Sequence, residues 1–188
     1  MKPVNVPSDS ASASGAPVQP APCSLSGFFA RERARARELW QEVASQVKLC
    51  ALSHETFHTA ELSTLEALKR NIGKFVQTVR LRMEAEEQLF ALMDEVTWRP
   101  RGYGLTAKLR SEHRRIEQLL EMLDRTSGDR TCAATIESVA GRLAELPNIL
   151  VEHGDIERTL FLRADHVLAA AEVRTLLDGM QKRILRAV

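Results

Sequence analysis

The sequence contains little cysteine and no long apolar run. Three of its 188 residues are cysteine, Cys23, Cys50 and Cys132, and no two of them form a Cys-x-x-Cys motif. Thiols this few and scattered exclude a disulfide-stapled scaffold and fit a reducing compartment. No segment approaches the roughly 20 consecutive apolar residues that a membrane span needs, and the N-terminal residues lack the apolar core of a secretory signal. We therefore predict a cytoplasmic protein with no membrane partner.

Neither sign of charge dominates the chain. Its 26 Lys and Arg residues against 25 Asp and Glu give a formal net charge of +1, which provides no field that would attract nucleic acid. The one basic cluster, Arg31, Arg33, Arg35 and Arg37, would spread over more than one face of a helix, which favours a solvated surface. A glycine-rich phosphate loop and a nucleophilic serine motif are also missing. No nucleic-acid partner is expected.

Proline is almost confined to the first 25 residues, where five of the seven prolines lie among Ser, Ala and Val. This composition predicts a disordered tail over residues 1–25, followed by a single domain over residues 26–188. From Ser26, an acceptable N-cap, apolar residues recur at spacings of three and four, as in helices. Helices are predicted at about residues 26–51, from the Ser53 region to about 99, 105–127, 131–161 with a kink at Pro147, and 170–187. The expected fold is all-α: an up-down-up-down four-helix bundle with an extra C-terminal helix.

Two segments of the chain repeat each other at an offset of 71 residues, residues 72–90 and residues 143–161. The apolar positions agree, and Glu86 matches Glu157, but Arg82 stands where the later copy has His153. At an offset of 73 residues the first predicted helix also matches the third, with Trp40 opposite His113. The bundle is then expected to consist of two helical hairpins related by internal pseudo-symmetry.

The repeat also predicts a cluster of metal-ligand side chains. His153 and Glu157 are four residues apart and share one face of a helix. Inward-facing His and Glu from different helices of a bundle meet at one level of the core, so His113, His153, Glu157 and Glu86 are predicted metal ligands. Hydrogen-bonded core histidines and a decayed site without metal are the competing interpretations.

These residues resemble the motifs of the hemerythrin-like, or HHE cation-binding, family. The similar segments are Glu86-Glu87-Gln88-Leu89-Phe90, Glu112-His113-Arg114-Arg115-Ile116 and His153-x-x-x-Glu157-x-x-Leu160-Phe161, and the resemblance covers roughly residues 30–165. It implies a bundle in which each hairpin supplies two His and one bridging Glu to a pair of irons. It also implies proteins that bind or sense oxygen or nitric oxide, or that help to repair iron centres. Trp40 and Arg82 depart from the pattern, which makes this chain a degenerate member.

The expected function is therefore cation binding at an incomplete di-iron site. One metal ion, expected to be iron, would remain, with Arg82 as a surrogate for the other, and a sensor or regulator is favoured over an enzyme. Its partner would be a small diatomic ligand or another protein. A metal-free helical interaction module is the alternative, and an iron-repair or oxygen-handling protein is a second one that needs ligands from His54 or His58.

Overall fold

The computed structural model describes residues 24–57, 62–97, 104–128 and 133–186, and these ranges are helical almost throughout. The described ranges contain five α-helices: α1 Leu25–Phe57, α2 Leu62–Val96, α3 Gly104–Gly128, α4 Ala133–Val167 and α5 Ala170–Arg186. The all-α prediction is confirmed. Helix α1 continues six residues beyond the predicted end near Ala51. The predicted tail lies outside the described residues except for its last two positions, where Leu25 already begins α1.

The first four helices form a closed ring of neighbours. Helix α1 packs against α2 and α4, and α3 packs against the same two helices from the other side. Contacts between α1 and α4 pair the start of one with the end of the other, because Leu25 bonds Asp165 and Arg33 bonds Gly154. The helices therefore run up and down alternately, as predicted, and α5 packs against α2 and α1.

The N-terminus of α1 is capped from two directions. The Ser24 hydroxyl accepts a hydrogen bond from the Gly27 amide at 3.0 Å, so Ser24 is the N-cap and the prediction of Ser26 was wrong by two residues. The Asp165 carboxylate on α4 accepts the free amides of Leu25 and Ser26 at 2.8 and 3.1 Å. A carboxylate at this end of a helix also complements the helix dipole.

The core consists of two hydrophobic clusters separated along the bundle axis. The first cluster includes Val43, Phe75 and Leu120, and the second includes Phe29, Phe90 and Phe161. In the second, the Phe29 and Phe161 rings stack at a centroid distance of 4.1 Å and join α1 to α4. A layer of buried polar residues lies between the two clusters and is named the polar layer here: Arg82, Glu86, His113, His153 and Glu157.

Helix α4 runs through Pro147 without interruption of its helical assignment. The kink expected there stays a prediction. Gly104, the first residue of α3, has a φ of 81°, a backbone conformation that glycine adopts at little cost. Among the described helices, none is both long and apolar enough to cross a membrane.

Candidate metal centre

Helices α2 and α4 each contribute two side chains to the polar layer at a spacing of four residues. Arg82 and Glu86 share one face of α2, and His153 and Glu157 share one face of α4, because residues four apart stack along a helix. Helix α3 contributes His113. All five are buried, and both glutamates have no solvent exposure. Apolar residues at helical spacing on either side of these positions turn one face of each helix toward the core. The polar residues lie on that same face and are therefore buried.

The four predicted ligands converge on a single point. One ligand atom from each of Glu86, His113, His153 and Glu157 lies within 4.8 Å of all the others. His113 Nε2 is 2.9 Å from Glu86 Oε2, and His153 Nε2 is 2.8 Å from Glu157 Oε1. Two ligands of one tetrahedral ion lie about 3.4 Å apart when each bond is about 2.1 Å. To bond one ion, these two pairs would have to move slightly apart and the more widely separated ligand atoms would have to move closer together.

Both histidines are oriented by a second carboxylate on the far side of the ring. His113 Nδ1 lies 3.0 Å from Glu87 Oε1, and His153 Nδ1 lies 2.9 Å from Glu112 Oε2. Arg110 donates to Glu87 at 2.9 Å and fixes that carboxylate in turn. A carboxylate on the outer nitrogen of a histidine sets the tautomer and the ring direction, as metal-binding histidines require.

Arg82 joins the two inner carboxylates. Its Nε donates to Glu86 Oε1 at 2.6 Å, and its Nη2 donates to Glu157 Oε2. The guanidinium is 6% exposed, so this ion pair is shielded from water. A guanidinium therefore already occupies one side of the two glutamates.

Two atoms of the polar layer have no hydrogen-bond partner among the described residues, His153 Nε2 and Glu157 Oε1. They are close together but not oriented for a hydrogen bond. With its proton on Nδ1, His153 would direct the Nε2 lone pair at a carboxylate, which is repulsive unless a cation lies between them. That cation is a proton or a metal ion, and two imidazoles with two carboxylates are donors that suit iron, zinc or manganese. The residues present therefore fit one metal ion.

The electrostatics of the metal-free site are dominated by burial and by close charges. Burial alone would lower the pKa of His153, but the carboxylates of Glu157 and Glu86 raise it to about 10. Burial and the negative charge of Glu86 together raise the pKa of Glu157. Burial would also raise the pKa of Glu86, but Arg82 and the histidines hold it well below its usual range. Glu86 is thus the firmly ionised carboxylate of the pair.

The structure brings together all five residues that the repeat singled out, His113, His153, Glu157, Glu86 and Arg82. Trp40 lies beside the first hydrophobic cluster, where its ring is 5.3 Å from that of Phe75. His58 lies outside the described residues. The backbone of His54 belongs to α1, but its side chain is also outside what the structure describes.

The position of Arg33 beside the polar layer was not predicted from the sequence. Its Nη1 donates to the Gly154 carbonyl at 2.7 Å and lies 3.6 Å from Glu157 Oε2, so this arginine is not part of a solvated surface as expected. The orienting roles of Glu87 and Glu112 were not predicted either. The sequence did contain a signal for these roles, because each of the two glutamates is the immediate neighbour in sequence of a predicted ligand.

An up-down bundle whose core holds His and Glu side chains from three helices has the arrangement that metal-binding helical bundles use. Residues 31–164 match the family model described as the hemerythrin HHE cation binding domain. The chain belongs to that family. No curated protein and no solved structure matches it.

Proposed function

We propose that the protein binds one metal ion, iron, and works as a sensor or regulator rather than as a catalyst. His113, His153, Glu86 and Glu157 would hold the ion. The observation that carries this proposal is the convergence of four buried ligand atoms within 4.8 Å of one another. At its centre His153 Nε2 lies 2.8 Å from Glu157 Oε1, and a cation between these two atoms, a metal ion or a proton, would balance the carboxylate.

Arg82 is the reason to propose one metal ion instead of two. Two buried carboxylates need compensating positive charge, and the guanidinium provides one unit of it through contacts to both Glu86 and Glu157. Displacement of this guanidinium by a metal ion would cost free energy, because it would break the ion pairs of Arg82 with both carboxylates. The centre is in this sense an incomplete di-iron site.

A bound iron ion would supply open coordination positions to which a small ligand such as oxygen or nitric oxide binds. Residues around the ion would determine how a small ligand binds there. Glu87 and Glu112 orient the rings of His113 and His153, and the apolar clusters on both sides limit the access of water. We place this activity in the cytoplasm, with a protein partner to receive the signal.

A metal-free interaction module is the second proposal, and one observation favours it. Arg82 together with a protonated His153 would neutralise both inner carboxylates without any metal ion. The bundle would then be held together by an ion-pair network. A third reading, an iron-repair or oxygen-handling protein, requires two metal ions.

Elemental analysis of natively purified protein, combined with its visible absorption spectrum, separates these proposals. We expect one iron per chain and no spectrum of an oxo-bridged iron pair. His153→Ala should remove the iron, and His166→Ala is the matched control, because His166 lies on the same helix but is exposed. No metal in the wild-type protein would leave the interaction module, and two ions per chain would overturn the incomplete site.

A further inference from the structure

A cleft between α1 and α4 opens on the side of the polar layer where Arg82 lies. Its volume is about 480 Å³, which falls in the range of about 300–1,000 Å³ that is usual for small-molecule sites. Arg82 forms part of its floor, and the walls come from one face of each helix. The cleft is separate from the predicted ligands, none of which lines it.

The lining of the cleft is rich in arginine. Arg33, Arg37, Arg82 and Arg158 all line it, against a single acidic side chain, Asp155. Arg33 donates a hydrogen bond to the Gly154 carbonyl, and Arg82 donates one to Glu86. Arg37 and Arg158 are exposed and form no ion pair with any described residue. Burial lowers the pKa of Arg33, and the charges of Arg82 and Arg158 lower it further against the opposing effect of Glu157 and Glu86, so these two guanidiniums lie close to Arg33. Like charges held this close favour an anion between them.

Apolar side chains also line the cleft. Trp40, Leu150 and Val151 line it together with Pro147, and the side chain of Val151 is 61% exposed. Apolar surface beside a group of guanidiniums suits a molecule that has both a carboxylate and a hydrocarbon body. The guanidinium group recognises carboxylates through paired hydrogen bonds, and the apolar wall would bury the body.

We propose that this cleft binds a small amphipathic carboxylate, with its carboxylate at Arg37 and Arg158 and its hydrocarbon body against Trp40 and Val151. The site is independent of metal binding, because the arginines that meet the ligand contact none of the four predicted metal ligands. Arg82 and Arg33 also line the cleft, but Glu86 and Glu157 balance their charges, so Arg37 and Arg158 are the arginines left to bind the carboxylate.

Isothermal titration calorimetry with three probes tests the chemistry of the site. Octanoate is the amphipathic anion, octanamide is its neutral counterpart, and inorganic phosphate is an anion without an apolar body. We expect octanoate to bind at least about tenfold more tightly than either of the others, which corresponds to about 1.4 kcal/mol. Undetectable octanoate binding, or equal affinity for octanoate and octanamide, would overturn the proposal. Tighter binding of phosphate would also overturn it, in favour of a plain anion site.

A matched pair of variants locates the site. Val151→Asp and Val167→Asp each add one negative charge to an exposed position of α4, but only Val151 lines the cleft. We expect Val151→Asp to weaken octanoate at least about tenfold and Val167→Asp to change its affinity less than about twofold. Equal effects of the two variants would mean that octanoate binds elsewhere.

A second pair tests the guanidinium. Arg158→Gln removes an exposed charge at the cleft, and Arg115→Gln removes an exposed charge on α3. Arg158→Gln should weaken octanoate about fivefold and Arg115→Gln should not. Both side chains are exposed, so neither change threatens the fold.

The titrations are repeated after chelation of metal. Unchanged affinity supports a site formed by the arginines, whereas loss of octanoate binding on chelation would show that the carboxylate binds a metal ion instead and would overturn the proposal. This comparison also keeps the result independent of the metal content of the protein.

Discussion

Arg82 connects the two inner carboxylates, and its removal provides the most direct test of charge balance in the polar layer. Arg82→Met keeps an unbranched side chain of similar length but leaves Glu86 and Glu157 buried without their shared cation. In chelated protein we expect the free energy of unfolding to fall by about 3–5 kcal/mol, the usual cost of breaking a buried ion pair on one side. Urea unfolding measures it.

The matched control is Arg125→Met. Arg125 also pairs with a glutamate four residues away, Glu121, at 3.2 Å, but it is 79% exposed. Solvent screening limits such a pair to about 0–1 kcal/mol. An equal loss of stability in both variants would contradict this prediction, because burial would then not strengthen the ion pairs of Arg82. Added metal should also stabilise Arg82→Met more than the wild-type protein, since the ion supplies the missing positive charge.

His153 gives the metal-free protein a pH dependence of known sign. Its pKa is raised to about 10 in the fold, so protonated His153 stabilises the native state. That contribution is complete below the ordinary pKa of about 6.5 and is lost as the pH rises toward 10. Between pH 6.5 and 9 we expect a loss of about 3 kcal/mol in the free energy of unfolding.

Urea unfolding of chelated protein at these two pH values measures that loss. His153→Gln should remove the pH dependence, and His166→Gln should retain it because His166 is exposed. An equal decrease in the His153→Gln variant would assign the pH dependence to another group.

The start of α1 depends on a carboxylate from another helix. Asp165 accepts the amides of Leu25 and Ser26 as well as the Ser26 hydroxyl at 2.5 Å, so it anchors α1 to α4 at the end of the bundle. Asp165→Asn removes the charge and one acceptor, and we expect a loss of about 1 kcal/mol. Hydrogen exchange should become faster in the first turns of α1. Asp178→Asn, an exposed position on α5, should leave exchange there unchanged.

Periodicity predicted the helices well because it is a local property. Apolar residues at spacings of three and four give each helix one buried face, and this signal needs no knowledge of the neighbouring helices. The end of α1 was placed six residues early, since no strong breaker lies between Ala51 and Phe57 and the apolar face simply weakens there. Helix ends are set by capping contacts more than by periodicity, as Ser24 and Asp165 show at the other end.

The polar layer lies between the two hydrophobic clusters, so an ion bound there would stabilise the whole bundle. At a free metal concentration about 100 times the dissociation constant, the gain is about 2.7 kcal/mol. For a domain of this size that corresponds to a rise of about 5–11 °C in Tm. We expect this shift when Fe²⁺ is added anaerobically to chelated wild-type protein.

Differential scanning calorimetry measures that shift, and His153→Ala should not show it. The His166→Ala control should behave as the wild-type protein does, because it leaves the polar layer intact. A wild-type Tm that does not respond to Fe²⁺, Mn²⁺ or Zn²⁺ would contradict metal binding and leave the interaction module as the function.

The sequence by itself was enough to predict the helices and the inward positions of Glu86, His113, His153 and Glu157. These predictions follow from the spacing of residues along the chain. Aligning two similar segments also needs only the sequence. It also located Arg82 at the position of a histidine, from which the surrogate cation was predicted.

Only the tertiary structure decided which atoms meet across helices. Asp165 lies 140 residues from the amide that it caps, and Arg33 lies 121 residues from the carbonyl that it bonds. The reach of a long arginine side chain leaves its partner open until the packing of α1 on α4 fixes the distance. Helix packing also decided which histidine Glu87 and Glu112 each contact. Adjacent residues of a helix point in different directions, so their partners depend on how the helices pack.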